Sequence, residues 1–247
     1  MDSPSDLAER LPYAPPPYLE GALQNPKMQE DQIGLLLRNP GLTGPLLESL
    51  ARNGRWTRIY EVKKRLVRHP RTPFQAARNL VHHLLWKDLA ETAADSRLHP
   101  AIRRQAESML KTRLDSLALG EKITLARKAT PAIVEVLVEG RERPVLEALL
   151  GNPALDPGAA EKLAARRGTP PEVLSRMATH SRWALLPAIR LAVAHNPRTP
   201  VAVALKLIER MPRAELERLV LQEDAPKIVL VGAQRRLTEA AGGAEAS

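Results

Sequence analysis

Nine cations crowd into 27 positions, namely Arg52, Arg55, Arg58, Lys63, Lys64, Arg65, Arg68, Arg71 and Arg78. They face a single acid, Glu61, and are the part of this chain most able to do chemistry. Residues 1–51 carry a net charge of −4, so this window at +8 supplies most of the formal +9. Such a cluster suits phosphates, where each neutralised charge releases counterions and makes binding salt-dependent. It equally suits an acidic protein or an anionic lipid surface. On a 3.6-residue wheel Trp56, Ile59, Tyr60, Val62, Leu66 and Val67 share one arc, with Arg58, Lys64, Arg65 and Arg68 opposite. This predicts a solvent-facing basic ridge, read either as a binding surface or as a solvated helix face. The matching window later in the chain, 179–205, has as formal charges only Arg182, Arg190 and Arg198, so the ridge is not needed to make the helices.

Lys63 falls inside the apolar arc, and so does Arg190 at the matching later position. A cation placed twice in an apolar stripe must snorkel, pair with a carboxylate or line a groove. Trp56 and Trp183 also match, each behind an Arg, and read as core anchors with Arg55 and Arg182 covering the indole, or else as stacking platforms.

Other chemistry has little to rest on. The absence of Cys removes disulfides, thiol nucleophiles, thiolate zinc sites and iron–sulfur ligation. The six His (His69, His82, His83, His99, His180 and His195) form no zinc-protease pattern. His69 and His99 precede Pro, where they read as caps, and the adjacent His82 and His83 point to different faces. No Gly-x-Ser-x-Gly elbow, phosphate-binding loop or dinucleotide fingerprint occurs. The expectation is a non-enzyme with no cofactor and no metal. Residues 1–20 are acidic and Pro-rich, unlike a signal peptide, and no apolar run reaches membrane-spanning length, so a cytoplasmic location is expected.

The elements that must position these residues are short helices. Apolar residues make up 44% and aromatics only 3%, so Leu, Ala, Val and Ile must fill the core, which favours closely packed helices over a β-sandwich. Twenty-two Pro fall mostly between apolar periodic segments. Asn25-Pro26, Asn39-Pro40, His69-Pro70, His99-Pro100, Asn152-Pro153 and Asn196-Pro197 each close one, and the full turn reads His69-Pro-Arg-Thr-Pro73 and Asn196-Pro-Arg-Thr-Pro200. There Asn or His ends a helix, Pro blocks its continuation, Thr72 or Thr199 is expected to N-cap the next, and Pro73 or Pro200 to occupy its first turn. The pattern predicts helices near 17–24, 28–38, 45–52, 56–68, 73–85, 87–94 and 101–116. It predicts counterparts of these in the later half, and two more helices near 121–128 and 131–139.

Shifting the chain by 127 aligns Leu19–Leu110 with Leu146–Leu237 without a gap, and twenty of the ninety-two pairs are identical. The expected fold is therefore all-α, a right-handed α-solenoid of short stacked helices in two tandem copies of a 92-residue block. The expected divisions are a Pro-rich N-terminal cap at 1–18, blocks at 19–110 and 146–237, a helical connector at 111–145, and a disordered tail at 238–247, with the solenoid continuous. Tyr13 and Tyr18 in the Pro-rich segment are expected to pack as a cap over the solenoid end, the other reading being a polyproline ligand.

The run Ile189–Ile208, with its Asn-Pro-Arg-Thr-Pro turn, resembles the leucine-rich repeat variant, a bacterial repeat of short alternating helices related to HEAT-like solenoids. Residues 62–81 are similar, and 145–164 and 168–182 are degenerate matches. Some members of that class carry a Cys-ligated iron–sulfur cluster, which does not carry over to a chain without Cys. The resemblance implies a helical repeat and no particular activity. The leading expectation is an interaction scaffold with a protein partner, its oligomeric state open. The alternatives are nucleic-acid binding through residues 52–78 and, by fold analogy alone, a HEAT-like DNA glycosylase.

Overall fold

A computed structural model describes residues 9–222 and 224–245, with side chains as far as Glu239. Among the described residues it is all-α, with no strand. The chain divides into two compact units, the first ending at Leu117 and the second beginning at Ala118. The first contains α1 (Pro16–Gln24), α2 (Glu30–Leu36), α3 (Gly44–Arg52), α4 (Gly54–Thr57), α5 (Tyr60–Arg68), α6 (Phe74–Val81), α7 (Trp86–Ala94), α8 (Pro100–Arg113) and a 3₁₀ turn at Leu114–Ser116. The second contains α9 (Leu119–Ala126), α10 (Pro131–Val138), α11 (Arg143–Leu149), α12 (Pro157–Ala165), α13 (Pro171–Thr179), α14 (Pro187–His195), α15 (Val201–Arg210), α16 (Arg213–Val220) and α17 (Lys227–Glu245).

Proline sets most of these boundaries. It occupies the first turn of α1, α3, α8 and α10 to α14, where a missing N–H costs nothing. The residue before Pro is driven out of the helical region, so Asn25, His69 and Asn196 are extended at the ends of α1, α5 and α14. Helices this short are not stable alone. Many pack on a sequence neighbour and on a helix two further along: α5 on α6 and α7, α6 on α8, α13 on α14 and α15, α14 on α16. Leu36, Leu47, Leu66 and Leu89 fill the first interior, and Leu163, Leu174, Trp183, Val193 and Leu219 the second.

Four expectations change. The helix expected over 56–68 is broken at Ile59, whose backbone is extended at φ −76° and ψ 119°, leaving the short α4 to hold Trp56. Leu186, the matching later position, is extended in the same way because Pro187 follows it. In the Pro-rich segment Tyr13 is 87% exposed, and it is Leu11 and Ala14 that pack inward. Residues 1–8 of that expected cap lie outside the described residues. The division between the units falls inside the expected connector 111–145, so that α9 and α10 belong to the second unit and pack on α11 and α12. Finally α17 runs through Glu245 where a tail was expected, with Arg235 and Glu239 paired one turn apart. Residues 246 and 247 lie outside the described residues.

Candidate binding surface

Helix ends leave carbonyls without partners, and the Asn-Pro turn answers that need at long range. Asn39 Nδ2 donates to the carbonyls of Leu11 and Ala14 at 2.7 and 3.0 Å. Asn152 does the same to Ala126 and Ala129, and Asn196 to Ala164 and Arg166. In each case Oδ1 accepts the N–H two residues on, from Gly41, Ala154 and Arg198. A single buried amide therefore shapes its own turn and clasps a segment well behind it in the chain. The threonines also act backwards. Thr72, Thr169 and Thr199 donate to Leu66, Leu163 and Val193, closing the preceding helix, while Pro73 and Pro200 are themselves the N-cap residues of α6 and α15. The expected forward cap fails because Pro ends the extended turn one residue later than the threonine.

Arginine extends the same ladder, and this decides the fate of the sequence-picked cations. Arg55 donates to the carbonyls of Pro26 and Met28 and lies 4.2 Å from the Trp56 ring centroid. Arg71 donates to Pro40 and Leu42, and Arg65 to Gly34 while pairing with Glu61 at 3.0 Å. Lys64 sits between Glu61 and Asp88 at 3.0 and 3.6 Å, Arg68 pairs with Glu91, and Arg52 pairs with Glu48. Of the nine, Arg58, Lys63 and Arg78 keep no such partner, with Arg58 and Arg78 exposed and Lys63 half-buried. Lys64, Arg65 and Arg68 are half-buried between helices and do not stand out on a solvent ridge.

Two buried carboxylates at matching positions of the two units were not anticipated. Glu215 on α16 pairs through both oxygens with Arg190, which also donates to the Ala184 carbonyl. Arg190 thus takes the carboxylate-pairing route open to a cation in an apolar stripe. Asp88 on α7 is met instead by Lys64 and by the Tyr60 hydroxyl, which accepts the Leu85 N–H at 3.0 Å. Burial, and then the hydrogen bond to Asp88, push the Tyr60 hydroxyl up to about 12. The same acid position is neutralised by different partners in the two units, and only its recurrence within an apolar stripe marks it in the sequence.

The second unit carries a groove of about 720 Å³ among α13, α14, α15 and the turn before α14. Arg176, Arg190, Lys206 and Arg210 line it together with Leu185, Val203 and Leu207, and no carboxylate does. In the first unit the positions matching Thr179, Leu185 and Arg190 hold Arg52, Arg58 and Lys63, three of the sequence-picked cations. Sequence reasoning missed Lys206 and Arg210, two cations four residues apart on one helix, with Glu209 three residues after Lys206. No family model, curated protein or solved structure matches this chain. Among the described residues no helix is long and apolar enough to cross a membrane, and no group of three or more His, Asp or Glu is placed to hold a metal.

Two expected results arise from these contacts. His69 stands where the matching later turn carries Asn196, and its Nδ1 accepts the Arg71 N–H at 3.2 Å, which only the neutral ring can do. Burial, and then the Arg71 charge, hold it below its usual 6.5. The neutral form is the one the fold prefers, so this contribution is complete above pH 6.5 and is lost as pH falls through the lowered folded value. His69→Asn should flatten the dependence of Tm on pH below neutrality and raise Tm at pH 7 by about 2–4 °C, the effect of roughly one added hydrogen bond. Thermal melts across that range check it. Separately, the Trp183 indole N–H donates to Leu150 at 2.9 Å, whereas Trp56 Nε1 is buried with no partner. Both tryptophans carry an Arg on one face, so Trp183→Phe should cost about 1–2 kcal/mol more than Trp56→Phe in urea unfolding. Equal costs would contradict the assignment.

Proposed function

We propose that this chain is a non-catalytic cytoplasmic scaffold of the α-solenoid kind, two tandem copies of a 92-residue block akin to the leucine-rich repeat variant, which binds a protein partner. The observation that carries this reading is the recurrence of one clamp, a buried Asn reaching back to two earlier carbonyls, at Asn39, Asn152 and Asn196. Duplication is further supported by helix starts that recur at one constant offset: Gly44 and Pro171, Tyr60 and Pro187, Phe74 and Val201, Trp86 and Arg213, Pro100 and Lys227. Helical repeats that contact mainly their neighbours expose a large surface for their length, which is how such repeats bind. Binding falls to side chains that the ladder does not use, namely Arg58, Lys63 and Arg78 in the first unit and the α13–α15 groove in the second.

A photo-crosslinking residue placed at Leu185 or at Arg58, in cells of the source organism, tests the reading. One protein adduct that disappears when the clamp is removed by Asn196→Ala is expected from Leu185. Adducts only to nucleic acid, or none at either position, would overturn it.

A further inference from the structure

The α13–α15 groove sets two unpaired cations beside an exposed aliphatic side chain. Arg213 on α16 pairs with Glu217 and Arg235 on α17 with Glu239, each one turn away. Within the groove Arg190 is neutralised by Glu215, and Arg176 lies 3.8 Å from Glu147. Lys206 and Arg210 have neither an ion pair nor a side-chain hydrogen bond, although both are exposed on successive turns of α15. Glu209, three residues after Lys206, forms no ion pair with either of them, and like charges four apart weaken a helix. Beside them Leu185 stands 72% exposed, next to the half-buried Val203 and Ala184. A large aliphatic side chain raised into water at the rim of a basic groove contributes nothing to the core.

Resting on the scaffold reading above, we propose that this groove docks an acidic segment of a partner protein, its carboxylates meeting Lys206 and Arg210 and an apolar side chain seating on Leu185 and Val203. Charge complementarity selects an anion, and the apolar rim selects a peptide over a nucleic acid. Single strands are held by aromatic stacking platforms, and no aromatic side chain lines this groove. A duplex backbone offers phosphates but nothing to cover Leu185. A buried aliphatic anchor ringed by charge is the ordinary anatomy of a protein–peptide contact.

The probe is a short fluorescein-labelled peptide of glutamates flanking two leucines, titrated with the full chain and followed by anisotropy. Lys206→Glu with Arg210→Glu should weaken binding at least about tenfold, as should Leu185→Ser. Arg104→Glu with Lys111→Glu, the same charge change on exposed residues of the first unit, should leave it within about twofold. Unchanged far-UV circular dichroism and melting temperature show that each variant is folded. A peptide with serines for its leucines that binds equally well would overturn the apolar half of the proposal. Stronger binding of a duplex or single-stranded oligonucleotide, lost in the same variants, would overturn it in favour of nucleic acid. Failure of the peptide to bind at all would overturn the acidic-segment assignment, whereas the scaffold reading falls only if the Leu185 and Arg58 crosslinks capture no protein.

Discussion

Asn196→Ala is expected to destabilise the second unit by about 3 kcal/mol in urea unfolding. The side chain is 1% exposed, donates to the Ala164 and Arg166 carbonyls, and accepts the Arg198 N–H. Alanine removes one amide but strands three backbone groups, each costing about 1–3 kcal/mol if it stays dry and less where water can enter. Asn196→Asp separates the roles, since it keeps the acceptor for Arg198 and loses both donors, and most of the cost should remain. Asn25, whose Oδ1 accepts only the Lys27 N–H, provides the internal comparison. Asn25→Ala should cost about 1 kcal/mol, the value of losing a turn-forming bond. Equal losses at the two positions would mean that the long-range clasp contributes nothing.

Glu215→Ala should cost about 3–5 kcal/mol, because it leaves the Arg190 guanidinium between helices without its carboxylate. The pair is well shielded, with side-chain exposures of 17% for Arg190 and 8% for Glu215. Replacing both partners, Arg190→Met with Glu215→Leu, should restore most of the loss, since a desolvated ion pair and an apolar pair of similar volume are often near-equal in free energy. A double-mutant cycle on unfolding free energies measures this, and additive losses would show that the two side chains do not act as a unit. In the first unit the corresponding acid has two partners, so Lys64→Met alone should be milder than Glu215→Ala, with the Tyr60 hydroxyl still bound to Asp88.

These effects divide between what can be read along the chain and what cannot. The succession of short helices is legible because its causes are local. Pro17 or Pro45 near a helix start, Asn25 or Asn196 at an end, and apolar residues at helical spacing act within one or two turns. Where local signals were over-read, a neighbour decided the outcome. Thr72 and Thr199 are sound caps by type, but the following Pro turned them toward the helix behind. The break at Ile59 has no proline to announce it, unlike its counterpart at Leu186.

The candidate surface was legible only as composition. A cluster of nine cations is visible in one dimension, but its partners lie far along the chain: Pro26 and Met28 for Arg55, Gly34 for Arg65, Pro40 and Leu42 for Arg71. A guanidinium that caps a distant earlier turn looks the same in sequence as one that faces water. By itself the sequence determined the all-helical character, the positions of the turns and the total charge, because covalent geometry and helical periodicity act at short range. Only tertiary structure decided which cations hold the helices together and which, with Lys206 and Arg210, are left exposed and unpaired, because a charge is neutralised by whatever packing brings near it.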